Sequence, residues 1–231
     1  MTMFFYDWTF LIVLPGLILA MIAQAGVSGT FAKYQRVPAR VGLTGAILAR
    51  RMLDGRGLND IAIEQVNGKL SDHYDPSAKV LRLSEGVYNS TSIAALGVAA
   101  HETGHALQDQ EHYAPLKMRT AIVPAVGFGS NLSWPIFLVG LIFSWQPLLL
   151  AGIILFSLAV AFSLVTLPVE FNASSRALAT LSSGGYLDAD EMEGANKVLR
   201  AAAMTYVAAA VGAILQLLRL LVLAGVGRRR D

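Results

Sequence analysis

Val98-Ala-Ala-His-Glu-Thr-Gly-His-Ala-Leu-Gln108 is the stretch on which the reading of this chain turns. It sets two histidines four residues apart, with Glu102 directly after the first and no other charge in the run. Four residues turn an α-helix through about 400°, so His101 and His105 project from one face, about one turn apart. Two imidazole nitrogens at that separation can share one tetrahedral zinc ion. Glu102, about 100° round from His101, can reach a zinc-bound water without being a ligand. Two neutral donors on a metal and one carboxylate beside the water are what metal-assisted peptide hydrolysis requires. The competing reading, polar residues that happen to sit in an alanine-rich helix, must bury three ionisable groups unpaired, which is costly.

Outward from this helix the chain turns apolar. Of its 231 residues 55% are hydrophobic and only 15% charged, with mean hydropathy +0.54; soluble domains carry about a quarter charged residues. Thr120 to Val169 holds no Asp, Glu, Lys or Arg. Since about 20 apolar residues cross a bilayer, this run predicts a helical hairpin over 121–143 and 148–168, turning at Ser144-Trp-Gln-Pro147. A further span lies near the N-terminus, behind an interfacial Tyr6-Asp-Trp8. Ala23-Gln-Ala25 resembles a signal cleavage site, but the preceding segment contains Asp7 and no Lys or Arg, so it reads as a retained anchor. A fourth span covers 201–223, interrupted by Arg219.

Charge placement orients these spans. Eleven of the 18 Lys and Arg residues lie between Lys33 and Arg119, and Arg176, Lys197 and Arg200 follow the hairpin. By the positive-inside rule both polar segments face the cytoplasm; Arg228-Arg-Arg230 objects, standing outside if the fourth helix crosses fully. Lys33, Arg36 and Arg40 read as anionic-lipid contacts and topology determinants. The net charge of +2 gives no reason to invoke nucleic acid, and the absence of cysteine excludes disulfides.

Within the first polar segment, Val41–Leu53 reads as a helix, Ile61–Val66 and Lys79–Ser84 as short strands, and Ser92–Gln110 as the helix carrying the quoted stretch. In the second, a helix opens after the hairpin at Val169, breaks at Gly184-Gly185, and gives way to one capped by Asp188 with Glu191 three residues on. Zinc needs one more protein ligand, with a position left for water. The register that would return one within the same helix fails, since Gln108 occupies the glycine slot and Glu111 the ligand slot. Asp109, Glu111 and His112 read as a solvated helix end. Glu170, alone among acids between Glu111 and Asp188, is the better candidate, because two spans return the chain to the side of the HExxH helix. Its competing role is that of a carboxylate favoured at a helix N-terminus.

The helix Ser92–Gln108, Asp72-His-Tyr-Asp-Pro76, Glu170-Phe-Asn-Ala-Ser174 and Ala203-Met-Thr-Tyr-Val207 together resemble the bacterial membrane-bound neutral zinc metallopeptidases. They are more distantly similar to HtpX-type membrane peptidases, which also place a transmembrane hairpin between HExxH and a third-ligand Glu. Ser174 departs from the latter pattern, which carries Asp four residues after that Glu. The resemblance implies His101, His105 and Glu170 as ligands of one zinc ion per chain, and Glu102 as general base. The expected organisation is a mainly α integral membrane protein with a small α+β zincin-like catalytic domain: span 4–25, catalytic segment 28–118, hairpin 121–168, third-ligand segment 169–200 and span 201–223. It would sit multi-pass in a bacterial plasma membrane, its active site on the cytoplasmic side, cleaving a peptide or membrane-protein substrate. Lys79–Ser84 reads equally as an added-strand site for an extended substrate backbone or as an ordinary hairpin strand. The rival reading is a zinc-stabilised membrane scaffold or regulator without peptidase activity.

Overall fold

The computed structural model describes residues 8–225. Tyr6, Asp7, the start of the expected first span and Arg228-Arg-Arg230 lie outside the described residues. In chain order the elements are α1 (Phe10–Tyr34), α2 (Gly45–Asp54), β1 (Ala62–Val66), β2 (His73–Asp75), β3 (Val80–Ser84) and α3 (Glu85–Tyr88). They continue with α4 (Ile93–Gln110), α5 (Ala114–Ile142), α6 (Gln146–Ser183) and α7 (Ala189–Leu223). Four of these, α1, α5, α6 and α7, are long and apolar enough to cross a membrane.

The chain divides into two compact units. Within the described residues the first comprises 8–23, 118–167 and 205–225, most of the apolar length of the four long helices. Small residues let its backbones approach: a Cβ on Gly16 would lie 3.1 Å from Gly212 Cα, and one on Gly140 would meet the Leu149 amide at 2.7 Å. Phe137, Leu149, Ile153, Leu220 and Ala224 form its buried cluster. Ser144 turns the hairpin in a left-handed conformation, with φ 50°. Pro147 falls in the first turn of α6, where its missing N–H costs nothing.

The second unit comprises residues 24–117 and 168–204. α4 is its central rod. Ser92 caps it by accepting the Ala95 N–H at 3.2 Å, and nearly all of Ile93–Gln108 is buried. A helix apolar on every side belongs inside a core, which explains why its flanks carry no charge. α2 packs Leu48, Met52 and Leu53 against it, and the sheet packs Leu81 and Leu83 on the same core.

The sheet differs from a simple hairpin of the two expected strands. β1 and β3 run parallel, and the intervening chain supplies β2, antiparallel to β3, in the order β1-β3-β2. Left-handed residues at Gly68, Leu70 and Lys79 make the two reversals. The Asp75 carboxylate accepts the Ser77 and Ala78 N–H groups in the second. β2 is too short for an alternating pattern to announce it. Because β3 is the middle strand, the expectation that it pairs with a substrate backbone is overturned: both its edges are taken, and the free edges belong to β1 and β2.

Two further expectations change. Asp109 is no solvated helix end: it accepts the Tyr74 hydroxyl at 2.9 Å and the Lys79 ammonium at 2.7 Å, tying the sheet to α4. No helix opens at Val169 either, because α6 runs unbroken through Pro168, and Glu170 stands mid-helix. The helix-terminus explanation for that carboxylate therefore falls away. The helix capped by Asp188 runs straight into the fourth apolar stretch as α7.

Buried Glu191 accepts the Asp188 N–H at 2.9 Å, half of a capping box, and the Arg40 N–H at 2.8 Å, tying the chain after α1 to α7. The Arg40 guanidinium pairs with the exposed Asp188 and Asp190. Glu191→Ala is expected to cost about 1–2 kcal/mol, because two amides lose their acceptor. Arg40→Ala, which keeps the amide and loses exposed ion pairs, is expected to cost under about 1 kcal/mol. Thermal unfolding of the two variants in detergent measures the contrast.

Candidate metal centre

α4 and α6 meet almost backbone to backbone. A Cβ on Gly104 would stand 2.7 Å from the Ala173 carbonyl oxygen and 3.2 Å from its Cα, closer than side chains tolerate. Buried Ala173 and Ala177 keep the facing side of α6 small. That approach brings His101, His105 and Glu170 into one group, with donor atoms all within 4.8 Å of one another. His101 Nε2 lies 3.2 Å and His105 Nε2 3.7 Å from Glu170 Oε2. The imidazole rings stand edge to face, 4.8 Å between centroids at 84°. Glu170 is 2% exposed and His105 8%.

Hydrogen bonds determine which nitrogen faces the carboxylate. The Gln108 amide nitrogen donates to Val169 O at 2.8 Å and to Asn172 Oδ1 at 2.9 Å. A backbone carbonyl can only accept, so the Gln108 amide oxygen must point at His105. His105 Nδ1–H therefore donates to Gln108 Oε1, at 3.0 Å, and in the neutral ring Nε2 is left with its lone pair. Ser174 Oγ lies 3.1 Å from His101 Nδ1 and holds that ring with Nε2 turned to Glu170. Arg176 extends the chain, its Nε donating to Asn172 Oδ1 at 2.7 Å while its Nη2 pairs with Glu111 at 2.7 Å. Arg176 is thus engaged as a brace, and Glu111 belongs to this outer pair rather than to the donor group.

A buried carboxylate and two imidazole nitrogens at these distances need a cation or a proton among them. The protein's own electrostatics express the same demand. Burial pulls the His105 imidazole down, but the Glu170 contact and the Glu102 and Glu170 charges outweigh it and hold its pKa above the ordinary value. A tetrahedral zinc ion with bonds of about 2.0–2.1 Å separates its ligand atoms by about 3.3 Å, and the observed 3.2 and 3.7 Å bracket that edge. Two imidazoles and a carboxylate are also a zinc donor set that leaves a position for water. The residues fit the ion.

Glu102 sits on α4 beside the group, 8% exposed. Among the described residues no donor hydrogen-bonds its carboxylate. Its oxygens stay open to solvent, since Arg50 Nε is the one buried side-chain polar atom without a hydrogen-bond partner among the described residues.

The family model described as "Putative neutral zinc metallopeptidase" matches residues 9–225. The chain belongs to this family. It is also 51% identical to "Putative membrane protease YugP" of Bacillus subtilis (strain 168) over 210 residues, covering 91% of this chain and 93% of that protein. No solved structure matches it. Zinc and a membrane setting thus accord with the donor group and the four apolar helices.

Gln108 and Ser174 are the residues that sequence reasoning passed over or doubted. Gln108 was visible only as the wrong residue for a glycine turn. Its spacing of three from His105, on the same helix face, carried the signal. Gln108→Leu is expected to weaken zinc binding about 10–100-fold, the usual cost of losing a ligand's hydrogen-bond partner, as read by chelator competition. Gly104→Ala, which must push α6 away from α4, is expected to lose zinc more completely and to lower the unfolding midpoint as well.

Proposed function

We propose that the chain is a membrane-embedded zinc peptidase in which His101, His105 and Glu170 hold one zinc ion and Glu102 is the general base. The observation that carries the reading is a three-donor group with the Glu102 carboxylate beside it, held by no protein donor and open to water. When bound, zinc supplies a water acidified toward about pKa 7 and a polarised scissile carbonyl. Glu102 takes the proton of that water and returns it to the leaving amine. Gln108 and Ser174 hold the two imidazoles with Nε2 inward. Bond cleavage then needs no nucleophilic side chain, and the substrate is a peptide or a membrane protein presented at the bilayer.

A zinc-stabilised scaffold would need no base and is ordinarily closed by a fourth protein ligand. Glu102→Gln separates the two: it is expected to retain zinc and lose peptide hydrolysis by several orders of magnitude. Zinc-replete protein whose hydrolysis survives Glu102→Gln would remove Glu102 from the mechanism. Glu170→Gln is expected to lose zinc and hydrolysis together, whereas Glu111→Gln, at the outer ion pair, keeps both.

The charge distribution supports placing 28–118 and 169–200 on the cytoplasmic side of a bacterial plasma membrane. Because the chain has no cysteine, single introduced thiols report cleanly. Cysteine at Ser71 is expected to resist a membrane-impermeant reagent in intact cells, and cysteine at Ser144 to react; the reverse pattern would invert the orientation.

A further inference from the structure

An open groove of about 550 Å³ lies on the second unit, lined by Gly29, Thr30, Lys33, Tyr34, Lys197 and Arg200. It joins the end of α1 to the first half of α7. Tyr34 packs against Gly194, where a Cβ would meet the ring at 2.7 Å, so α1 and α7 are held in fixed register. The Lys33 ammonium sits 5.3 Å from the Tyr34 ring centre. Lys197 is paired with Glu193 one turn earlier on α7. Among the described residues neither Lys33 nor Arg200 has a carboxylate at ion-pair distance. Three cations and one carboxylate leave a surplus of two positive charges, with the Thr30 and Tyr34 hydroxyls as further donors.

The position of the groove along its helices selects the anion. From Phe10 to Ala32, α1 carries no charge, and Lys33 is its first. On α7 Arg200 is the last charge before the uncharged run from Ala201 to Leu218. Both helices thus pass from cationic to apolar at the groove, where lipid headgroups meet a spanning helix.

We propose that this groove binds the phosphate of an anionic glycerophospholipid headgroup, with Lys33, Lys197 and Arg200 as its cationic contacts. The acyl chains would follow the apolar faces of α1 and α7. Such a lipid would clamp α1 to α7 independently of the metal centre.

The test uses the full-length protein in nanodiscs of phosphatidylcholine with and without phosphatidylglycerol. Lipids that stay bound after release into the gas phase are counted by native mass spectrometry. Wild type is expected to retain phosphatidylglycerol in preference to phosphatidylcholine. Lys33→Gln, Lys197→Gln and Arg200→Gln are each expected to lower that retention about fivefold, the worth of one cation near an anionic headgroup. Arg51→Gln, Arg56→Gln and Lys69→Gln, cations elsewhere on the same unit, are expected to leave it unchanged. Equal losses in both sets would mean general attraction and would overturn the proposal, as would undiminished retention in the first set. A parallel arm titrates inorganic phosphate against protein in neutral detergent. Stabilisation there, with no preference for phosphatidylglycerol in nanodiscs, would assign the groove to a soluble anion and refute the lipid. Unfolding midpoints in pure phosphatidylcholine identify any variant that fails to fold, and the remaining single variants then decide.

Discussion

The close approach of α4 to α6 at Gly104 and Ala173 is the constraint on which the site depends. Neither helix alone can assemble a three-donor group. α4 supplies two imidazoles on one face, and the third donor must come from a helix near enough for a carboxylate to lie 3.2 Å from a histidine nitrogen. Glycine at 104 permits that spacing, because any Cβ there would run into the Ala173 backbone. The same contact lets Gln108 reach across to Val169 and Asn172. One packing decision therefore sets both the donor positions and the hydrogen bonds that aim them.

Continuous helices carry the chain between polar and apolar sequence. α6 and α7 each begin or end in the polar unit and run without a break into an apolar length. A break beside the membrane would expose backbone N–H and C=O groups where little water can satisfy them. Pro168 does not interrupt α6, and neighbouring groups can offset the bond it removes. Glu170 then faces α4 from a rigid rod rather than from a frayed helix start, and its charge is tolerated because the site supplies, or demands, a cation.

Much of this was legible in the residues. Charge-free runs marked the four long helices, because a bilayer imposes length and composition directly. His101, Glu102 and His105 were legible because a helix fixes their relative directions whatever surrounds them. Glu170 was reachable by topology, although the reasoning that it opens a helix was wrong: proline was read as a boundary, and in a long apolar helix it is not one. β2 and the central place of β3 were not legible, since three residues carry no periodicity and strand order is a long-range property. The roles of Gln108 and Asp109 stayed hidden for a similar reason. Each acts across to another element, on partners 61 and 35 residues away in sequence.

In the proposed centre two imidazoles and one carboxylate hold a zinc ion with a position left for water. Zinc K-edge X-ray absorption on the purified full-length protein reads that environment directly. The expected result is about one zinc per chain in a four-coordinate shell of nitrogen and oxygen at about 2.0–2.1 Å, with the multiple-scattering signature of two imidazoles. A shell without imidazole scattering, or one of six oxygens, would contradict it.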